Sequence, residues 1–110
     1  SRRALSVTAS FAAKLSDTLD INALADLASK ALEEGEEELA LPIIERRAVQ
    51  LRNTLLWQWK ALLERSLDEH EIALRSFEEA ARLDPADVSI AHGHARTAME
   101  AGLDSSMYAR

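Results

Sequence analysis

Apolar and small residues recur along the chain at the spacing of helix faces, in segments separated by glycine, proline and acidic turns. The best-defined stripe is Ala73, Phe77, Ala80 and Leu83, at spacings of four, three and three residues. Such spacing is typical of an amphipathic helix, because 3.6 residues complete one turn. No stretch shows the sustained alternation of apolar and polar residues that marks a half-buried strand. The pattern therefore predicts an all-α protein.

A short stripe near the N-terminus predicts one separate helix. Its apolar residues are Val7, Phe11, Ala12 and Leu15. Ser6 is a suitable N-cap, because a serine side chain accepts a hydrogen bond from the first helical turn. Residues 1–18 fall outside the repeat described next, so we expect a capping helix or a flexible preface there.

One residue pattern returns twice, at intervals of 33 or 34 residues. Gly35, Asp68 and Gly102 are equivalent in this period. Two further equivalent sets are Leu24, Trp57 and Ala91, and Ala28, Ala61 and Ala95. A period near 34 residues, carried by small and apolar positions, is typical of a solenoid of stacked helical hairpins. The repeat therefore predicts antiparallel helix-turn-helix units.

Turn-forming residues divide the chain into these units. We expect one domain, residues 19–110, made of units at about 21–53 and 54–87 and an incomplete unit at 88–110. The turns within units are predicted near Gly35, Asp68 and Gly102. The breaks between units are predicted near Asn53 and Pro85.

Acidic residues supply the predicted helix starts. Asp20 and Asp87 are expected N-caps, and Asp68 with Glu71 has the spacing of a capping pair. The five acids around Gly35, Glu33–Glu34 and Glu36–Glu38, have the composition of a cation site, but Glu36–Glu38 also lie at the start of the next helix, where negative charge is favoured. We favour the second interpretation.

Pro42 interrupts the returning helix of the first unit. A helix that began near Glu37 would carry this proline beyond its first turn, where the ring removes a hydrogen bond. We therefore expect that helix to begin near Leu41 or to be kinked.

The third unit has its own predicted inner face, followed by a helix end at Gly102 and a new start at Asp104. The residues of that face are Ile90, Ala91, Ala95, Ala98 and Met99. An incomplete hairpin leaves such a face uncovered, and exposed apolar patches mark interfaces. The pattern therefore predicts either a two-fold homodimer through the C-terminal helices or a natural neighbour that is more of the same array.

Composition and charge narrow the function classes. The net charge is −6 and the 13 basic residues are scattered, which argues against nucleic acid and anionic membranes as partners. The absence of cysteine excludes disulfides, thiol catalysis and cysteine-based zinc sites. No apolar run approaches the ~18 residues of a membrane span, and the N-terminal apolar segment is too short for a secretion signal. The expected location is the cytoplasm.

Candidate chemistry is sparse. His92 and His94 point about 200° apart on a helix, so they cannot share one metal ion, and His70 lies elsewhere. No phosphate-binding loop, nucleophile elbow or Ser/His/Asp arrangement occurs. We expect neither an enzyme nor a cofactor.

Trp57 and Trp59 cannot share a helix face, so we expect one in the core and the other as an interface anchor.

From Trp57 to Pro85 the chain resembles the tetratricopeptide repeat family. Trp57 stands in the tryptophan slot of the first helix, and Ala73, Phe77 and Ala80 stand in the alanine, aromatic and alanine slots of the second. Pro85 stands in the terminal proline slot. The matching positions of the flanking copies are Leu24, Leu27, Ala28, Ala31, Gly35, Ala40 and Ile44 before it, and Ala91, Ala95, Ala98 and Gly102 after it.

The sequence departs from the family pattern at three positions. Lys60 stands where the family has leucine, and Glu64 stands where it has an aromatic residue. Pro42 has no counterpart.

The resemblance implies a right-handed superhelix whose concave side, lined by the first helices, binds an extended peptide or a helix. The concave positions it implies are Asn22, Ala25, Ser29, Leu55, Gln58, Leu62, Ser89, His92 and Arg96. Only Arg96 is basic, which favours an apolar or mixed groove over a clamp for two carboxylates. The expected function is a scaffold for protein–protein interaction. Two alternatives are a docking array of a larger enzyme, such as a transferase with its catalytic domain beyond residue 110, and a helical self-association module.

Overall fold

The computed structural model describes the backbone of residues 7–15 and 17–109 and the side chains of residues 8–15 and 17–102. Over these residues the chain forms helices and no strand, so the all-α prediction is confirmed. The helices are α1 (Val7–Leu15), α2 (Ile21–Glu34), α3 (Glu37–Leu51), α4 (Thr54–Ser66), α5 (His70–Leu83) and α6 (Val88–Ala109). The predicted cap Ser6 lies outside the described residues.

Each helix packs against the next one along the chain, and two pairs pack across one helix: α1 with α3, and α2 with α4. From α2 onward the connections are only two to four residues long. Such short connections make neighbouring helices run antiparallel.

Four of the five predicted turns and breaks are confirmed. Gly35, with a φ of 68°, ends α2 in the left-handed region, which costs glycine no steric strain. Asp68 takes the same region with a φ of 64°. Asn53 caps α4 by accepting the Leu56 amide at 3.0 Å. Helix α5 ends at Leu83, immediately before the Asp84–Pro85 step.

Two of the three predicted caps are confirmed. The carboxylate of Asp20 accepts the amides of Asn22 and Ala23 at 3.0 and 3.3 Å. Asp87 accepts the amide of Ser89 at 2.9 Å. The predicted capping pair Asp68–Glu71 is wrong: α5 begins at His70, its N-cap residue is Glu69, and that residue makes no side-chain cap bond. Asp68 is instead used to turn the backbone.

The expected later start of α3 is also wrong. The helix begins at Glu37 and carries Pro42 inside it. Proline cannot donate to the carbonyl of Glu38, four residues earlier. Both residues are exposed, so the lost hydrogen bond does not bury an unpaired carbonyl. This position on the solvent side allows the helix to continue.

The predicted inner face of the third unit is largely wrong. Ile90 is buried and Ala98 is half-buried, but Ala91, Ala95 and Met99 are exposed. Thr97, which no prediction included, is completely buried. Helix α6 also runs through Gly102 and Asp104, so neither the predicted end nor the predicted new start exists.

The ring of Phe77 explains how α6 is turned. A Cβ atom added to Gly93 would lie 2.7 Å from the Phe77 ring, closer than real side chains approach. Glycine is therefore the residue of α6 that fits against the ring. Ala91 and Ala95 lie two residues to either side of Gly93, on the opposite part of the helix circumference. Seating Gly93 on Phe77 therefore turns both alanines to solvent.

The core consists of two clusters of buried side chains. The first cluster lies between α2, α3 and α4 and comprises Leu24, Leu27, Ala28, Ala31, Ala40, Ile43, Ile44, Ala48, Leu56 and Leu63. The second cluster joins α4, α5 and α6 and comprises Ala61, Phe77, Ala80 and Ile90. Ala73 is also completely buried. Phe11, Ala12 and Leu15 of α1 pack against the first cluster.

The two tryptophans do not divide as expected. Trp57 and Trp59 are both half-buried, so neither is a core residue and neither is a free surface anchor. Trp57 packs against both clusters, and Trp59 packs against the first. The structure thus uses Trp57 to bridge the two parts of the core.

A buried polar triad lies between α4 and α5. Lys60 Nζ lies 2.5 Å from Glu64 Oε2 and donates to Ser76 Oγ at 2.8 Å. The Ser76 hydroxyl in turn donates to Glu64 Oε1 at 2.7 Å. Lys60 Nζ also lies 5.3 Å from the centroid of the Trp57 ring. Lys60 and Glu64, two of the three departures from the family pattern, therefore form an ion pair with each other.

The acidic run around Gly35 joins helices. Glu37 is buried and accepts a hydrogen bond from Ser66 of α4. Glu34 accepts the hydroxyl of buried Thr8 in α1 at 2.9 Å. Glu37 and Glu38 also lie in the first turn of α3, where the helix dipole favours acids. These contacts support the structural interpretation of the run.

Candidate binding surface

The predicted concave residues lie on α2, α4 and α6, and two of them meet. Gln58 of α4 donates from Nε2 to the hydroxyl of Ser89 in α6, at 3.1 Å. Helix α2 packs against α4 directly. The two contacts link the three helices in the order α2, α4, α6. We call the nine predicted positions on these helices the groove residues.

The groove residues differ in how much of each side chain reaches solvent. The exposed ones are Asn22, Leu55, Ser89, His92 and Arg96. The half-buried ones are Ala25, Ser29, Gln58 and Leu62. Leu62 packs against the second core cluster, so it is partly structural. Leu55, at 38% exposure, offers the larger free apolar surface on α4.

The chemistry of the groove residues is mixed. They combine amides, hydroxyls and two leucines with one permanent charge, the guanidinium of Arg96. Asp87 borders them at the start of α6, where hydrogen bonds from the Ser89 hydroxyl and amide lower the pKa of its carboxyl. A partner would thus meet a cation along α6 and an anion at its start.

The three histidines have separate surroundings. His92 is exposed, whereas His94 Nε2 lies 3.2 Å from Glu78 Oε2 of α5. His70 Nε2 lies 3.3 Å from Glu100 Oε1. Within the described part of the chain, no group of three or more histidine or acidic side chains is positioned to hold a metal ion.

Two clefts lie away from the groove residues, and the sequence did not predict them as sites. One, of about 360 Å³, is lined by Glu38, Leu41, Pro42, Glu45, Leu67 and Glu69. The other, of about 260 Å³, is lined by Val49, Arg52, Trp57, Glu79, Arg82 and Leu83. In the sequence, the first cleft could have been found only from Glu38, Pro42 and Glu45, which lie three or four residues apart and therefore share one face of α3.

Two charged residues that line the smaller cleft, Glu79 and Arg82, form an ion pair with each other. Arg82 hydrogen-bonds to Glu79, and this bond lowers the pKa of the Glu79 carboxyl while it raises the pKa of the arginine. The charges of this pair are therefore already matched.

No helix in the described ranges is long and apolar enough to cross a membrane.

Comparison with known proteins gives no assignment. No protein-family model matches this chain, and no curated protein matches it.

Proposed function

We propose that the chain is a non-catalytic, tetratricopeptide-like module that binds a peptide or a helix of another protein along α2, α4 and α6. The observation that carries the proposal is the 3.1 Å hydrogen bond from Gln58 to Ser89. It joins α4 to α6 through two of the positions that the resemblance to the tetratricopeptide repeat family implies for the concave side of successive units. In a helical array, that side forms an extended binding surface.

The shape of the molecule supports an array. Its Cα radius of gyration is 14.8 Å, against about 13 Å for a globular domain of this length. The principal extents are 48 × 36 × 18 Å, so the chain is a flat slab about two helices thick. Contacts between helices that are next or next but one along the chain fit stacked units.

The groove residues favour a partner with mixed chemistry. Leu55 presents an apolar contact, Gln58 an amide, and Arg96 a cation. A peptide that suits them carries an apolar side chain toward α4 and one carboxylate toward α6. With a single arginine among the groove residues, a partner recognised through two adjacent carboxylates is not favoured.

Peptide display with the full chain as bait tests this proposal. Selected peptides are titrated by fluorescence anisotropy against the wild type and against Leu55→Glu and Arg96→Glu. Both residues are exposed, so helical circular dichroism should be unchanged. Each variant should weaken binding at least about tenfold, the effect of losing one interface anchor.

Two matched variants serve as controls. Leu39→Glu changes a leucine of 42% exposure on α3, and Arg75→Glu reverses an exposed arginine on α5. Neither should alter the affinity. Equal losses in these variants, or binding that depends on Glu78 and Glu79, would contradict the assignment of the groove residues.

A further inference from the structure

One side of α6 is apolar and uncovered. Val88 is 78% exposed and Met99 is 67% exposed, and between them Ala91 and Ala95 are also exposed. Gly102 continues this side by one turn and is exposed too. These five positions span about 80° of the helix circumference and carry no charge or hydrogen-bonding side chain. We call them the α6 apolar face.

The rest of the chain shows what covers the equivalent positions. Leu24 and Ala28 of α2, two periods before Ala91 and Ala95, are completely buried in the core between α2, α3 and α4. Ala61 of α4 is completely buried in the cluster that includes Phe77 and Ala80 of α5. At Leu24, Ala28 and Ala61, therefore, the equivalent positions are covered by neighbouring helices of the chain, and Trp57, the equivalent of Ala91, is half-buried.

The α6 apolar face is complementary to itself. Around a two-fold axis at Ala95, an antiparallel second copy brings Met99 opposite Ala91 and Val88 opposite Gly102. Each large side chain then faces a small one, and Ala95 faces Ala95. Small residues at a crossing let two helices approach to the short end of the 8–10 Å range of axial distances. A parallel pair would instead place Met99 against Met99 and Val88 against Val88.

We infer that the α6 apolar face is a homodimer interface, in which two copies of α6 pack antiparallel around Ala95. A closed two-fold pair is the commonest arrangement of identical chains. The contact from Val88 to Gly102 is about 21 Å long, so the interface is small. The dimer is therefore expected to be weak and to depend on concentration. The inference does not rest on the groove residues, because His92 and Arg96 flank the face and lie outside it.

Sedimentation velocity of the full chain, from low micromolar to near-millimolar concentration, tests the dimer. The wild type should shift from monomer to dimer across this range. Ala95→Glu places two like charges in contact at the axis and should weaken the dimer at least about tenfold. Ala95 is exposed and glutamate is a good helix former, so the helical circular dichroism should persist. Ala13→Glu, at an alanine on α1 that is also exposed, is the matched control and should leave the dimer intact.

Single cysteines test the orientation, because the chain has none of its own. Under mild oxidation, Ala95→Cys should form a disulfide-linked dimer and Ala13→Cys should not. Val88→Cys should not link to itself, because an antiparallel pair separates the two copies of residue 88 by about 21 Å along the axis. These disulfide links also test for the antiparallel dimer if Ala95→Glu fails to fold.

Three results would overturn the inference. The first is a monomer at every concentration, which would show that the α6 apolar face does not bind a second copy of the chain. The second is a dimer weakened no more by Ala95→Glu than by Ala13→Glu. The third is efficient self-linking of Val88→Cys, which requires a parallel pair.

Discussion

The two hairpins α2–α3 and α4–α5 fill the same three positions with opposite chemistry. Leu27, Ala31 and Ile43 of the first hairpin are buried apolar side chains. The residues 33 positions later are Lys60, Glu64 and Ser76, and they are buried to the same degree. One backbone arrangement therefore accepts either an apolar set or an ion pair closed by a hydroxyl.

The comparison shows what each solution requires. An apolar set needs only shape and volume, because its members carry no charge or hydrogen-bonding group that must be paired. A buried ion pair is tolerated only when its charges and hydrogen bonds are matched. In the triad, Lys60 and Glu64 each bond to the other and to Ser76. No buried side-chain nitrogen or oxygen in the described ranges is without a hydrogen-bond partner.

The largest expected effect comes from Phe77. Phe77→Ala should cost about 3–5 kcal/mol of unfolding free energy, because Ala61, Ala80 and Ile90 cannot fill the cavity. The equivalent residue in the first hairpin is Ile44, whose cluster also contains four leucines. Ile44→Ala should cost less than Phe77→Ala in urea denaturation. The reverse order would contradict the two-cluster description of the core.

Removing one member of the triad should be nearly as damaging. Glu64→Ala leaves the Lys60 ammonium buried without its anion and should cost about 3 kcal/mol. The measurement is the urea midpoint at neutral pH. Glu33→Ala, an exposed acid on α2, is the control and should change stability little. Equal effects of the two variants would show that the triad is not a closed buried unit.

Replacing the whole triad should have the opposite sign. The triple variant Lys60→Leu, Glu64→Ala and Ser76→Ile copies the first hairpin and leaves no buried charge. Such replacements are neutral or stabilise by about 1–4 kcal/mol. Calorimetry should therefore give a melting temperature at or above that of the wild type. A drop as large as that of Glu64→Ala would mean that the hairpins are not interchangeable.

Gly93 tests the contact between α5 and α6. Gly93→Ala gains helix propensity, but its Cβ meets the Phe77 ring at 2.7 Å. We expect overpacking to dominate and to cost about 1–3 kcal/mol. The same change at Gly102, where nothing lies within 4 Å of an added Cβ, should stabilise the helix. Stabilisation by both changes would contradict the seating of α6 on Phe77.

The smallest expected effect is a pH dependence from the surface. The pKa values of Glu79 and Asp87 are lowered below their ordinary values of 4.5 and 3.8. The stabilisation from each is present above the ordinary value and is lost as the pH falls through the folded-state pKa. Both side chains lie at the surface and are only partly covered, so the effect is small. Glu79→Gln should reduce the loss of thermal stability between pH 5 and pH 3 only slightly, by calorimetry.

The sequence by itself determined the helices, most of the turns and the period. These features depend on local chemistry: Asp20, Asn53 and Asp87 accept amides within three residues of themselves. Gly35 takes a left-handed conformation whatever packs nearby. For the candidate binding surface, the resemblance to the tetratricopeptide repeat family implied positions on α2, α4 and α6, and the bond from Gln58 to Ser89 joins two of those positions.

Only the tertiary structure decided how α6 is rotated about its axis and that the polar residues Lys60, Glu64 and Ser76 are buried. The exposure of Ala91, Ala95 and Met99 follows from Gly93 meeting a ring 16 residues away, a contact that no pattern within α6 encodes. Lys60 and Glu64 are one turn apart on α4, but Ser76 reaches them from α5. Whether a charge such as that of Lys60 is buried depends on the partners that packing places around it. The cost of desolvating the charge is offset only when its counter-ion and hydrogen-bond partners are all in contact with it.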